Sequence, residues 1–388
     1  MAVPDLSREP PGPGLRRHWA LEPGIRFLNH GSFGATPRAV LAAQGRWREH
    51  MERQPVRFMG GELPGLLRGA AGELADFLGA PGEGLAFTEN ATASVNAVLR
   101  SIGLRPGDEV LCSRHAYPGV KNALRHRCHE AGAALQEAAV PFPCADDDEV
   151  VGAYDAAIGP ATRLVVVDHV SAFTAVIQPV ARLTALGRGR GVPVLVDGAH
   201  AAGMLDLRLG ELDADWYAGN CHKWLLAPKG SGFLWAAPRA REGLRPAVIS
   251  NRWGQGFPAE FDWAGTRDPS AWLATTEAIA FLRSLGVARY REYIHALALE
   301  AAALIGAAWK VGLPAPGDLL GAMATLPLPE ALQGRAAAGL HDALWERWRV
   351  EVPVLEIDGR LWARISGQVY NELADYAALA EAVTELAR

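Results

Sequence analysis

Residues 192–200, VPVLVDGAH, run from an apolar stretch straight into a carboxylate, a glycine and a histidine. Residues 215–224, DWYAGNCHKW, have the same form: a short apolar run that ends in Asn220, His222 and Lys223. Runs of about four to eight apolar residues closed by glycine or polar punctuation read as strands, and strands apolar on both faces are buried on both faces. Working outward, LAFT (85–88), EVLC (109–112), LVVVD (164–168) and GFLWA (232–236) follow the pattern, with helical periodicity between them. That alternation predicts an α/β architecture in which a mainly parallel sheet is covered by helices. Ligands of such sheets sit beyond the carboxyl ends of the strands, so the residues that close the strands are where chemistry is expected.

The flanks are organised differently. IRFLNHGSFGATP (25–37) reads as a short strand and a glycine-broken turn, and Val40 to Leu78 as helix interrupted at Pro55 and Gly60-Gly61. After FDWAGTRDPSAW (261–272) comes a helical tract to about Leu313, followed by the connector GLPAPGDLLG. Strand-like AMATLPL, a helix through LHDALWERW, strands VEVPVLEI and RLWARIS, and an amphipathic helix from Asn371 complete the chain. The expected division is a flexible N-terminal arm (1–24), a large α/β domain (25–265) and a small C-terminal α+β domain with its connecting helix (266–388). Domains of roughly 150 residues make two units a reasonable prior.

Composition narrows the function classes. With 388 residues, 49% hydrophobic and 21% charged, the chain can bury a large core and is not a disordered polymer. A net charge of −5 without a basic stripe argues against nucleic acid as a partner. Cys112, Cys128, Cys144 and Cys221 form neither a disulfide framework nor a paired CxxC signature. His126, Cys128 and His129 fall on one expected helix with no second ligand cluster, so no metal is predicted. The first residues are polar and proline-rich rather than a secretory signal, and the most apolar tract, Tyr293–Leu313, is interrupted by His295, Glu300 and Lys310. The expectation is a soluble, cytoplasmic protein without a membrane partner.

Five strands would aim polar groups at one crevice: Asn90 and Thr92 after LAFT, His115 and Tyr117 after EVLCS, Asp168, His169 and Ser171 after LVVV, Asp197 and His200 after VPVLV, and Asn220, His222 and Lys223 after DWYAG. Asp197 closes an uncharged run and needs a cationic or hydrogen-bonding partner to stay ionised, which a protonated heterocyclic nitrogen would supply. Lys223, followed by Trp224, Leu225 and Leu226, stands where burial depresses an ammonium pKa and makes the amine nucleophilic toward a carbonyl. Asn90, Ala91 and Thr92 occupy a strand-to-helix junction, whose free amides form an anion site. A carbonyl-capturing lysine, an acid for a pyridinium and a phosphate cradle are the parts that hold pyridoxal 5'-phosphate. Lys229, between Pro228 and Gly230, reads as a turn residue.

DGAHAAGMLDL, YAGNCHKWLLAPKGSGFL and LNHGSFGATPRAV, with ENATASVNAV, AGTRDPSAWLA, LWERWRVEVPV and RISGQVYN, resemble the isopenicillin N epimerase branch of the class V aminotransferase family from about Phe27 to the final helix. The resemblance implies a fold type I transferase that uses pyridoxal phosphate. It makes Lys223 the Schiff-base lysine and Asp197 the partner of the pyridine nitrogen. The phosphate would fall to Asn90, Ala91, Thr92 and His222, with Asn220 beside them. Tyr117 would stack on the ring near His115, with His115 or Tyr117 as the candidate second acid for reprotonation from the opposite face, and His169, Ser171 and His200 would line its hydroxyl side. Asn29, Gly31 and Arg364 would bind the substrate, with Arg364 as a bidentate clamp for its carboxylate. Thr266 would reach the phosphate of a neighbouring subunit, implying a homodimer with shared sites.

The departures matter as well. No cysteine follows Cys221, which disfavours a persulfide-forming desulfurase. Residues 58–64, FMGGELP, lack the arginine that relatives carry there, Arg57 adds a cation, and Ala172-Phe173 replaces a Ser-Pro pair. These changes are expected to reshape the substrate pocket. The resulting expectation is an enzyme acting at the α-carbon of an amino acid, epimerase-like, with a carbon–sulfur β-lyase and then an aminotransferase as alternatives. A nicotinamide dehydrogenase lacks its GxGxxG turn, and a purely regulatory cofactor-binding module would not need Arg364 as a clamp.

Overall fold

The computed structural model describes residues 3–80 and 83–388. Its twelve strands are β1 (Arg26–Phe27), β2 (Leu85–Thr88), β3 (Glu109–Ser113), β4 (Ala134–Ala138), β5 (Thr162–Asp168), β6 (Val194–Gly198), β7 (Trp216–Asn220), β8 (Gly232–Ala236), β9 (Met323–Pro327), β10 (Val350–Glu351), β11 (Val354–Ile357) and β12 (Arg360–Ser366). The central sheet has seven strands in the order β2-β8-β7-β6-β5-β3-β4. Only β8 pairs antiparallel to its neighbours, and β3 to β7 form the parallel body. Helices Ala91–Ser101, Pro118–Ala131, Asp147–Ala157 and Val180–Gly189 alternate with these strands.

Apolar side chains alternate across the pleat, as a doubly covered sheet requires. Val110, Cys112, Leu164, Val166 and Leu195 face a layer containing Val95, Val98, Val120 and Leu124. Their neighbours Leu111, Val165, Val167, Val194 and Val196 face the opposite layer with Tyr154, Val180 and Leu183, continuous with the core of the C-terminal part. The six expected strands are present. β4 is additional: its sequence ALQEA carries little apolar signal because it is an edge strand with half-open faces.

The C-terminal part forms a three-stranded antiparallel sheet, β11-β12-β9, packed on helices Val287–Trp309 and Ala337–Trp348, with helix Leu373–Leu386 against Val287–Trp309. The stretch read as VEVPVLEI divides into β10 and β11 around Val352-Pro353, and β10 pairs in parallel with β1. Thus the first strand of the chain is built onto its last third. The long helical tract is two helices, Thr275–Leu285 and Val287–Trp309, broken at Gly286, where φ is 77°. The segment read as a flexible arm packs instead: Leu6, Leu15 and Trp19 are buried, Arg289 donates to Leu6 O, and Gly12 N donates to Val369 O. Short apolar anchors among prolines supply no periodicity from which such docking could be read. Among the described residues no helix is long and apolar enough to cross a membrane.

Helix is also interrupted where the sequence places Gly60-Gly61: Phe58–Glu62 forms a π-helical turn before Leu63–Phe77. Glu62 there pairs with His50 at 2.8 Å and with the exposed Arg57 at 3.3 Å.

The glycine-broken turn after β1 becomes one helical turn, His30–Phe33, that stops at Gly34 with φ 69° and ψ 162°. Side chains avoid that conformation, and here a Cβ would also run into the His222 carbonyl beside Lys223. Gly34→Ala should therefore lower unfolding free energy by about 1–3 kcal/mol in a denaturant titration. A loss within ~0.5 kcal/mol would show that this contact does not constrain the chain.

Candidate active site

One cavity of about 250 Å³ opens at the carboxyl ends of the parallel strands. Its walls include Asn90, Ala91 and Thr92 from the end of β2, Tyr117 after β3, Asp168 from β5, Asp197 and His200 from β6, and Asn220, His222 and Lys223 from β7. Parallel register makes this convergence unavoidable: Asp168 pairs with Asp197 across β5 and β6, and Gly198 with Gly219 across β6 and β7.

At the mouth of helix Ala91–Ser101, Asn90 Oδ1 accepts from Ala93 N at 2.9 Å as an N-cap, and Asn220 Oδ1 accepts from Ala91 N at 2.8 Å. The Thr92 amide and hydroxyl have no protein partner among the described residues, so this helix end keeps donors for an anion.

Asp197 is buried, with one carboxylate oxygen accepting from Ala199 N at 3.1 Å. Burial raises its pKa, and that amide and the Lys223 charge oppose the rise. Asp168 lies beside it, also buried, with Oδ2 unpartnered. Burial and the neighbouring Asp197 charge push the Asp168 pKa well up, because adjacent buried carboxylates resist ionising together. The Lys223 Nζ reaches into the cavity, 3.1 Å from His200 Nε2. Burial, reinforced by the Arg364 charge, lowers the lysine pKa to about 7, against the pull of Asp197.

Arg364 comes from β12, and its side chain is held by the Ala172 carbonyl and by Ser32 Oγ at 3.0 Å. Its Nε is buried without a partner, no carboxylate neutralises it among the described residues, and burial lowers its pKa to about 10. Ser32 and Ala172 line the cavity, so the guanidinium sits immediately behind its wall. Thr325 Oγ1, on the neighbouring β9, donates to Phe173 O at 2.7 Å, tying the Ala172-Phe173 departure to the same clamp.

Other expected site residues stand elsewhere. His115 Nε2 lies 3.0 Å from the Val140 carbonyl, and its ring does not line the cavity. His169 Nδ1 lies 2.7 Å from the Tyr217 hydroxyl, with burial lowering its pKa to about 4, and Ser171 Oγ accepts from Thr174 N. Both support the loop behind the wall. Asn29 is occupied by Glu351 and by the Ser32 hydroxyl, so it braces Arg364 through Ser32, and Gly31 N donates to Ser366 Oγ, tying this turn to β12. Thr266 is exposed outside the cavity, and Arg57 does not line it. Ala172 lines it in keeping with its expected effect on the pocket, and Ser32, Phe33, Val170 and Ala199 line it unanticipated. Asp168 was legible as a strand end, but its pairing with Asp197 is a matter of register. Lys229 donates to Gly34 O at 2.9 Å, a structural tie. Among the described residues no cluster could hold a metal ion.

The class V aminotransferase family profile matches residues 34–327. Isopenicillin N epimerase of Amycolatopsis lactamdurans is 38% identical, over 96% of this chain and 98% of that protein. A putative L-cysteine desulfhydrase of Oryza sativa subsp. japonica is 32% identical over 93% and 84%. Among solved structures, a complex of the cystine C–S lyase C-DES with cysteine persulfide superposes with a TM-score of 0.80 at 20% identity, covering 96% of this chain and 99% of that one. The chain belongs to the class V aminotransferase family, on its isopenicillin N epimerase-like branch. It is an enzyme with the fold type I architecture, and its cofactor is pyridoxal 5'-phosphate. The donor set fits that group: a helix end with a free amide, a buried carboxylate without a strong cationic partner, and a lysine whose pKa burial lowers to about 7.

The amine predicts its own titration. With a folded pKa near 7, the neutral fraction of Lys223 rises through neutrality instead of near the ordinary ~10.4. In cofactor-stripped protein labelled at its lysines with ¹³C-methyl groups, one resonance, absent from Lys223→Ala, should titrate with a midpoint close to 7. A midpoint near 10 would refute the burial argument.

Proposed function

We propose that this enzyme acts at the α-carbon of an amino-acid substrate, epimerase-like, through proton removal by Lys223. The observation that carries the reading is Arg364: a buried guanidinium with an unpartnered Nε, fixed from two sides directly behind the cavity wall. An isolated buried cation is costly, and a substrate carboxylate would neutralise it through a bidentate pair. Gripping the carboxylate there would place the α-carbon toward Lys223, since Arg364 and Lys223 are close enough for the one charge to depress the other's pKa.

Asn90, Ala91 and Thr92, with Asn220 and His222, would hold the cofactor phosphate, Asp197 its ring nitrogen, and Tyr117 its face. When bound, pyridoxal phosphate supplies an electron sink for negative charge at the α-carbon. The neutral form of Lys223, already available near pH 7, would take the α-proton at Nζ, and Asp197 would keep its compensating negative charge at the ring nitrogen. Return of a proton to the opposite face needs a second acid. Tyr117 lines the cavity and can serve, whereas the His115 ring faces Val140. That commitment of His115, with desulfhydrases among the relatives, supports a second reading in which a β-substituent departs and no opposite-face acid is required.

A homodimer with shared sites is part of the proposal. Phe33 is 72% and Tyr117 44% exposed at the cavity, and Thr266 is exposed outside it, so a second copy would close the mouth. An amino-acid substrate needs neither nucleic acid nor a membrane, and a cytoplasmic setting accords with four unpaired cysteines.

Proton NMR in heavy water, with cofactor and a panel of isopenicillin N, cysteine, cysteine sulfoxide conjugates and common L-amino acids, tests the reaction. Loss of a Cα proton signal with the skeleton retained is the expected result. Formation of pyruvate would replace it with the lyase reading. Arg364→Lys should lower kcat/KM about a hundredfold, because an ammonium cannot reproduce the fork. An unchanged kcat/KM would remove Arg364 from the substrate site.

A further inference from the structure

His200 bridges Lys223 to a residue with no assigned role. Its Nε2 lies 3.1 Å from Lys223 Nζ, and its Nδ1 accepts from the indole Nε1–H of Trp224 at 3.4 Å. Trp224 is fully buried, with its carbonyl accepting from the Tyr290 hydroxyl at 3.3 Å and the His30 ring 5.0 Å from its own. An indole nitrogen can only donate. Facing it, His200 Nδ1 must present a lone pair, which leaves the proton of a neutral imidazole on Nε2. An Nε2–H aimed at Lys223 finds an acceptor only if the amine carries a lone pair. An ammonium would set N–H against N–H.

We propose that Trp224 is a positioning residue that acts through His200: its indole N–H fixes the Nε2–H tautomer, and that tautomer holds Lys223 as the neutral amine able to attack a carbonyl or accept a proton. The surroundings agree. Burial above all keeps His200 from becoming a cation, and the nearby Arg364 charge adds to it. Burial and then Arg364 disfavour the Lys223 charge, against Asp197, which favours it, while His200 is the ring in contact with its amine. His30, packed on Trp224, is held neutral by burial, its pKa near 3. The inference rests on Lys223 being the reactive amine, but its readouts require no turnover, so it can fail while that reading stands.

The test is ¹⁵N-histidine NMR on the full-length protein, with cofactor bound and after its removal, alongside the lysine titration. Wild-type His200 should show the Nε2–H tautomer alone. Trp224→Phe, which keeps an aromatic ring without the donor, should give mixed tautomers and raise the Lys223 midpoint by about one pH unit. In a His200→Phe background the same change should add no further shift. A wild-type Nδ1–H tautomer or imidazolium near pH 7 would overturn the proposal whether or not any variant folds. So would an unchanged tautomer and midpoint in Trp224→Phe.

Discussion

The parallel register of β5, β6 and β7 is the constraint on which the site depends. Because these strands run the same way in fixed register, Asp168 lies level with Asp197 and Gly198 with Gly219, and Asp168, Asp197 and Asn220 emerge on one rim. The pleat buries the preceding valines and leucines in two layers, so the polar closing residues cannot slip back into the sheet without breaking both. Lys223 inherits this fixation from β7. Its backbone is pinned on the other side by His30, whose Nε2 lies 3.1 Å from Lys223 O, and by the close approach of Gly34.

Around that rim, charge is arranged by burial. Two carboxyl groups adjoin across β5 and β6, and both have raised pKa values; two cations, Lys223 and Arg364, lie near each other with lowered ones. Each group is therefore displaced toward its neutral form, and each gains from a ligand of complementary charge. A phosphate at the Thr92 amide, a ring cation at Asp197 and a carboxylate at Arg364 would relieve the three strains together. This explains how a cavity can be rich in ionisable residues without collapsing into internal ion pairs: the geometry keeps the natural partners apart.

Much of the central sheet was legible because its strands are buried on both faces and show as continuous apolar runs, such as VVV in β5 and VLV in β6. The strand-closing residues followed from them, and so did most of the cavity. β4 was not legible, since an edge strand reading ALQEA has half its side chains in solvent. Nor was the docking of Leu6 and Leu15, isolated anchors in a proline-rich segment. The roles implied by family resemblance transferred unevenly for a physical reason. His115, His169 and Ser171 follow strands as expected, but the loop after each strand turns their side chains to Val140, Tyr217 and Thr174. Sequence fixes which residues leave a strand end, and only local turn geometry decides which of them look back.

The remaining part of the site shows why both the central and the C-terminal sheet are needed. Arg364 belongs to β12 in the C-terminal sheet, yet it is held by Ala172 from the loop after β5 and by Ser32 from the turn after β1. Ser32 is in turn fixed by Asn29, which bonds to Glu351 of β10. Three distant segments thus converge on one guanidinium, and β1, paired with β10, carries the first of them across the chain's full length. A clamp assembled this way responds to any movement between the parallel sheet and the C-terminal sheet. A carboxylate bound to Arg364 would be gripped in register with Lys223 only when the two sheets are seated, so Ala172 and Ser32, which hold the guanidinium, would set that geometry through Arg364.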